Sequence, residues 1–581
     1  MLVSPESTEK PAPITSLTIK GKTSMQLSLD IISDWNPQIF RELKGRIKNQ
    51  SLAIVAGISL LGQLLLLITL ASQLPGNGYS YRNKYCLGYS DSSCIQDASG
   101  QYLINWQLWW LDCFLWLSMA GVLALLVAGT YMLVRDLTNE EGRGTLNFLR
   151  LTPQPSHTIL LGKMLGVPVL LYLAAVVAAP LHFWAGVQAG IPPINILAFD
   201  SVLLAGCFCC YSAVMLFAIA VKSSGMLPWL ASGGLFIFLA ITLNKLWDNS
   251  GVVFNNVTDW VNLFNPCSLL PYLFDPTGNL SKAFWYFGNN HLHFQWYYIP
   301  VGASGLGFCT LMVLNFSLWS YWMWQGLNRR FPNPSASWLS KRQSYTLVAC
   351  FEGMALGFAL QEKPNWYSGD SFLDSFSYNL ATLVVINILL GLCLIVALSP
   401  QRQSLIDWAR YRHMEGGAKG LWQDLVLAEK SPAPVAIFLN FLGISLLLAA
   451  WILLWPAETD RMENLALVCL NAVFVSIWAV VVQMILLLKG AKQNVWATVI
   501  VAAGIILPPI IFFLLSGDFP NNTFPWLFTV FSWAVIDHAD LFSILTAIIG
   551  QLSILAGLSF SLRRQIRMAG ESASKALLAT K

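Results

Sequence analysis

The residues best suited to act on a partner lie between two long apolar runs, in Glu140-Glu141-Gly142-Arg143-Gly144-Thr145-Leu146-Asn147-Phe148-Leu149. Gly142 and Gly144 permit a tight turn. Thr145 is suited to cap a short helix carrying Leu146, Phe148 and Leu149, which Pro153 would end. Glu140, Glu141 and Arg143 would then offer polar contacts beside an apolar anchor. That is the chemistry of docking; a solvated loop is the plainer alternative. A second charged stretch, 407–434, holds Trp422, Asp424 and Glu429 in an equivalent position between apolar runs.

Other constellations are sparse. His291 and His293 stand two apart with no carboxylate nearby in sequence, so no metal site is expected. Asp112, Asp200 and Glu352 fall in or near apolar runs, where carboxylates are functional suspects. Asp112 and Asp200 are close enough to run ends to be solvated, which leaves Glu352 as a candidate proton relay. No Ser/His/Asp constellation is visible, and catalysis by this chain is not expected. Gly21-Lys22-Thr23 is the only Gly-Lys-Thr, and Ser16 stands where a phosphate loop needs Gly. Nucleotide hydrolysis would have to come from another polypeptide. Most cysteines lie in apolar runs as small packing residues. Cys86 and Cys94 share one loop, where a disulfide is plausible in an oxidising compartment.

Membrane helices must position these residues. Of 581 residues, 56% are hydrophobic and only 11% charged, with a net charge of +4. Soluble domains carry about 25% charged residues, so an ordinary soluble enzyme is excluded, and the small net charge gives no sign of a nucleic-acid partner. Twelve apolar runs stand out, at 51–74, 109–133, 165–184, 202–221, 226–243, 299–324, 345–360, 380–398, 435–455, 465–488, 495–515 and 541–562. Run 345–360 is the weakest, being short and carrying Glu352. Continuous runs imply helices, because a spanning backbone must satisfy its own hydrogen bonds. With both termini cytoplasmic, 28 of the 34 Lys and Arg fall on the cytoplasmic side and none inside a span, as the positive-inside rule requires.

The expected fold is all-α and polytopic, with about twelve spans in two six-helix halves repeated in parallel. Residues 1–50 form a cytoplasmic tail, 51–326 the first half, 327–344 a cytoplasmic linker, 345–562 the second half and 563–581 a second tail. Each half has an aromatic, Pro/Asn-rich outer segment before its last span, at 244–298 and 516–540, expected to form short interfacial helices. Within the first tail, Asn36 is a good N-cap and Pro37 suits the first helical position. Ile39, Phe40 and Leu43 would make an apolar face and Arg41, Lys44 and Arg46 a polar one, giving a helix on the membrane surface.

Glu141-Gly142-Arg143-Gly144-Thr145-Leu146, then Leu149 and Leu151-Thr152-Pro153, then Leu161-Gly162-Lys163, resemble the signature loop of ABC exporter permeases of the second type. The resemblance implies that this loop packs on a separate ABC ATPase subunit, which carries the ATP and Mg, and transmits its motion. It also implies a plasma (inner) membrane permease with no cofactor of its own and an unknown transported substrate. Members commonly have Glu-Arg or Glu-Lys where this chain has Glu141-Gly142. The 407–434 stretch lacks the Glu-Gly-Arg-Gly-Thr-Leu string. Two other readings remain at this point: a proton-coupled secondary transporter, and an integral membrane enzyme acting on lipid or glycan.

Overall fold

The computed structural model describes residues 34–75, 83–87, 89–90, 93–98, 100–221, 225–247, 256–273, 294–361, 372–414, 420–455, 460–490, 492–516 and 523–570. The protein is an all-α polytopic membrane protein. Eleven helices among the described residues are long and apolar enough to cross a membrane. In the first half they are Asn49–Ser72, Trp106–Gly142, Val169–Gln188, Pro193–Ala220, Leu227–Asn244 and Gly305–Arg330, spans 1 to 6. In the second they are Phe376–Leu398, Pro434–Leu454, Arg461–Leu487, Gln493–Leu515 and Leu541–Gly570, spans 8 to 12. A small antiparallel hairpin, Tyr89–Ser90 with Ser93–Cys94, interrupts the helical pattern, and a disulfide joins Cys86 to Cys94.

The weak run at 345–360 is helical as well, over Lys341–Ala359, although it is not among the eleven. Its ends show what it does. At the first end, Lys341 Nζ donates to the Leu425 carbonyl (2.7 Å) and Tyr345 Oη to the Val426 carbonyl (2.9 Å), both in the second charged stretch. At the last end, the Tyr297 and Tyr298 amides donate to the carbonyls of Gly357 (2.8 Å) and Leu360 (3.0 Å), which a helix terminus leaves free. Both tyrosines take positive φ to do so. The helix therefore runs from one loop face of the bundle to the other, and its length of about 28 Å at ~1.5 Å per residue suits a crossing.

Several helix pairings recur in the two sets of spans, although span 9 packs along span 10 far more extensively than span 3 does on span 4. Span 4 packs along span 6, span 1 on span 3, and span 2 on spans 3 and 4. Span 10 packs along span 12, Lys341–Ala359 on span 9, and span 8 on spans 9 and 10. The fifth helices differ, span 5 lying on span 2 and span 11 on span 10. Span 2 contains a π-helical turn at Ala124–Ala128. Such a turn frees a carbonyl, and the Leu125 carbonyl accepts from Tyr211 Oη at 2.6 Å.

Short helices Asp259–Asn262 and Pro266–Leu273 precede span 6 and are buried almost throughout. Their counterparts before span 12 are Thr523–Trp526, Ser532–Val535 and Ile536–His538. The first set joins the halves. Trp260 and Trp319 face Phe351 at 5.0 and 6.0 Å, and the Val257 amide donates to Asn379 Oδ1 at 3.0 Å.

Candidate functional site

Span 2 ends at Gly142, and Gly144 turns the chain with φ 71° before the helix Thr145–Arg150. Only glycine takes that conformation without strain. Gly144, not Thr145, occupies the N-cap; the Thr145 hydroxyl donates back to the Glu140 carbonyl at 3.2 Å. The helix is two-sided. Leu146 and Leu149 are buried against the chain's own body, while Phe148 is 73% and Leu151 82% exposed. The expected apolar anchor thus reduces to Phe148, joined by Leu151, and Leu146 and Leu149 fix the helix in place. Arg143 is exposed. Glu141 faces Arg150 at 3.7 Å, and the Arg150 guanidinium lies over the Phe331 ring.

Glu140 points inward, contrary to its expected docking role. It pairs with Arg41 at 2.8 Å and with Lys163 at 2.7 Å. These belong to a six-residue network that ties the N-terminal helix Pro37–Arg46 to span 2 and to the helix Ser156–Gly166. Asn36 caps the N-terminal helix, its Oδ1 accepting from the amides of Gln38 (3.0 Å) and Ile39 (3.2 Å), while its Nδ2 donates to the Thr158 carbonyl at 2.8 Å. Of the expected apolar face, Ile39 is buried and Phe40 and Leu43 are half-buried. The helix turns Gln38, Ile39 and Glu42 onto Ser156–Gly166. Gly162 and Gly166, one turn apart, admit it: a Cβ on Gly162 would lie 2.6 Å from that of Gln38. Small residues at this spacing let helix backbones approach closely.

Lys163 is fully buried at the centre, 2.7 Å from Asp136 and 3.6 Å from Glu42. Arg46 bridges Glu42 (3.3 Å) and Asp136 (2.8 Å). Three cations meet three anions, so the buried charge is balanced. Burial would lower the Lys163 pKa, but Asp136 and Glu140 outweigh it and hold it above the ordinary lysine range. The Glu42, Asp136 and Glu140 oxygens lie close enough together to suit a metal ion, yet the Lys163 ammonium already supplies their positive charge.

The 407–434 stretch repeats the device with different residues. Arg402–Met414 leads to Gly420, which takes φ 72° before the helix Leu421–Leu427. Trp422 is 74% exposed on it. Arg412 pairs with Asp424 at 2.7 Å, the reverse polarity of Glu141 with Arg150. Lys341 anchors this segment from beneath, donating also to Ser431 Oγ and to the Pro432 carbonyl (2.9 Å). It lies in the first turn of its helix, outside the apolar stretch, and burial pushes its pKa down to about 7 against a smaller opposing pull from Asp424. Sequence reasoning missed Gly420 and Lys341; a glycine just before a short apolar run was the available signal.

The two exposed helices share one face. Between them sits the end of span 6, where Ser156 Oγ and Asn328 Oδ1 are 3.3 Å apart and Arg150 covers Phe331. On the other side Arg329 forms a two-bonded pair with Glu429, at 3.0 and 2.7 Å.

Elsewhere, Asp112 is not solvated but buried, 2.6 Å from Lys84 Nζ and 2.7 Å from Tyr85 Oη. A Ser/His/Asp grouping does exist in space: Ser118 Oγ is 2.9 Å from His182 Nε2, and His182 Nδ1 is 3.8 Å from Asp200. Ser118 is buried and its hydroxyl already donates to the Phe114 carbonyl at 2.7 Å, which does not suit a nucleophile. Gly21-Lys22-Thr23, His291 and His293 lie outside the described residues.

No curated protein and no solved structure matches the chain. Residues 24–399 match the family model described as ABC-2 family transporter protein. The match takes in the N-terminal helix, the Gly144 turn and the whole ion network, and ends just before the 407–434 stretch. Covering more than half of the sequence, it places the chain in the ABC-2 transporter family, as a permease component of an ABC transporter.

Proposed function

We propose that this permease is a fused, double-length exporter subunit whose two halves enclose one translocation pathway. The observation that carries the reading is the pair of glycine-initiated helices on one face, each displaying a single exposed aromatic, Phe148 and Trp422. Each docks on one copy of a separate ABC ATPase, which binds the ATP and Mg. ATP binding draws the ATPases together and pulls on both helices. Packed spans move as rigid bodies and switch the cavity from inward to outward access. The ion network makes the N-terminal helix, the stem of span 2 and Ser156–Gly166 one lever. The family match supports this reading over an integral membrane enzyme. It also disfavours a secondary transporter, which would need no such docking face.

The docking face is cytoplasmic, both termini lie on that side, and the protein resides in the plasma (inner) membrane. Co-purification from native membranes tests this directly. An ABC ATPase should accompany the chain, and cargo movement in vesicles should require hydrolysable ATP. Transport driven by an ion gradient without ATP would overturn it.

A further inference from the structure

Glu352 is fully buried, and among the described residues neither of its carboxylate oxygens has a hydrogen-bond partner. Asn387, on span 8, is also fully buried, with both amide atoms unpartnered. Glu352 lies eleven residues from the docking-face end of its helix, and Asn387 eleven residues from the docking-face end of span 8. At ~1.5 Å per residue both sit about 16 Å deep, close to the middle of a membrane about 30 Å thick. Asn387 is within side-chain reach of the carboxylate.

Among the described residues, no Lys or Arg pairs with Glu352. Lys341 and Arg342 of its own helix lie about three turns away. Span 9, packed alongside, carries no charged residue. The outer segment brings Tyr297 toward it and holds Asp259, an acid with its own interactions. An ionised carboxylate here would pay a large desolvation penalty with only the Asn387 amide to donate to it, and would leave Asn387 Oδ1 without a donor. One proton removes both problems. A protonated carboxyl donates to Asn387 Oδ1 and accepts from Asn387 Nδ2, which partners the free atoms of both side chains. A metal ion fits less well: it would find three oxygens where about six are usual, and would leave Nδ2 pointing at a cation.

We propose that Glu352 and Asn387 form a proton-binding site in the wall between the halves, sealed at rest and opened to water when the access switch turns. Its second part rests on the pathway proposed above. The neighbouring Phe351, wedged against Trp260 and Trp319 of the first half, ties this stretch of helix to any movement between halves.

Infrared difference spectroscopy on the full chain in lipid vesicles tests it. The wild type should show a protonated-carboxyl carbonyl band that is lost in Glu352→Gln, a substitution that keeps an amide pair with Asn387. Asn387→Leu should shift that band to higher frequency by removing its partner. In heavy water the band should exchange slowly at rest and faster during ATP turnover with the ATPase bound. A carboxylate band in place of the carbonyl would overturn the site. A carbonyl band that exchanges at once, or at a rate turnover does not change, would overturn its gating. Failure of the docking reading would appear separately, as an ATPase that neither binds nor responds to the chain.

Discussion

Replacing Phe148 by Ala removes an exposed ring and leaves the buried Leu146 and Leu149 untouched. ATPase association should weaken by about 1 kcal/mol or more, as for an interface anchor, with helical content unchanged. Titration against the ATPase checks this, and Trp422→Ala should behave likewise. Lys163 is the opposite case, buried and invisible to a partner. Lys163→Met leaves three carboxylates without their central cation, a loss on the order of 3–5 kcal/mol for a buried pair. Denaturant unfolding of the purified protein measures it, and a change below about 1 kcal/mol would show the network to be unimportant. Lys341 gives a pH signature. Its folded pKa of about 7 lies below the ordinary 10.5. Between those values the unfolded chain binds the proton more tightly, so stability should rise with pH across that window. In Lys341→Met that slope should vanish; an unchanged slope would mean that another group causes it.

The short helices depend on their glycines. Ala at Gly144 or Gly420 would have to adopt the left-handed conformation, at about 1–2 kcal/mol each. Amide exchange should then quicken over 145–150 or 421–427 alone. Equal protection in parent and variant would mean the turns do not hold these helices. Elements of this kind were partly legible in the sequence. Asn36 and Pro37 marked a helix start, because capping is local chemistry. Apolar runs marked the spans, because the bilayer sets their length. The packed face of Pro37–Arg46 was legible only at Ile39. Its burial of Gln38 and Glu42 is decided by Gly162 and Gly166, more than a hundred residues away. For the same reason Leu146 and Leu149 looked like docking contacts until span 2 and its neighbours were in place around them. Gly420 escaped notice because its stretch shares a shape with the first loop and not a string of residues.

At the scale of the whole chain, the packing of the spans brings the two glycine-initiated helices to one face and bridges them through the end of span 6. The Arg329–Glu429 pair is partly exposed and adds at most about 1 kcal/mol to stability. Its value is geometric, since it fixes the second loop to the helix that the first loop also touches. Charge reversal at Arg329 should lower ATPase stimulation, and Glu429→Arg in the same chain should restore it; no rescue would make the contact incidental. The central claim is that both helices transmit force to one pathway. The most direct test is reconstitution of the full chain with its ATPase, comparing hydrolysis for the parent, Phe148→Ala, Trp422→Ala and the double variant. Each single change should reduce the stimulation, and the double change should abolish it while the membrane fold persists. Stimulation by the double variant equal to the parent's would contradict the account.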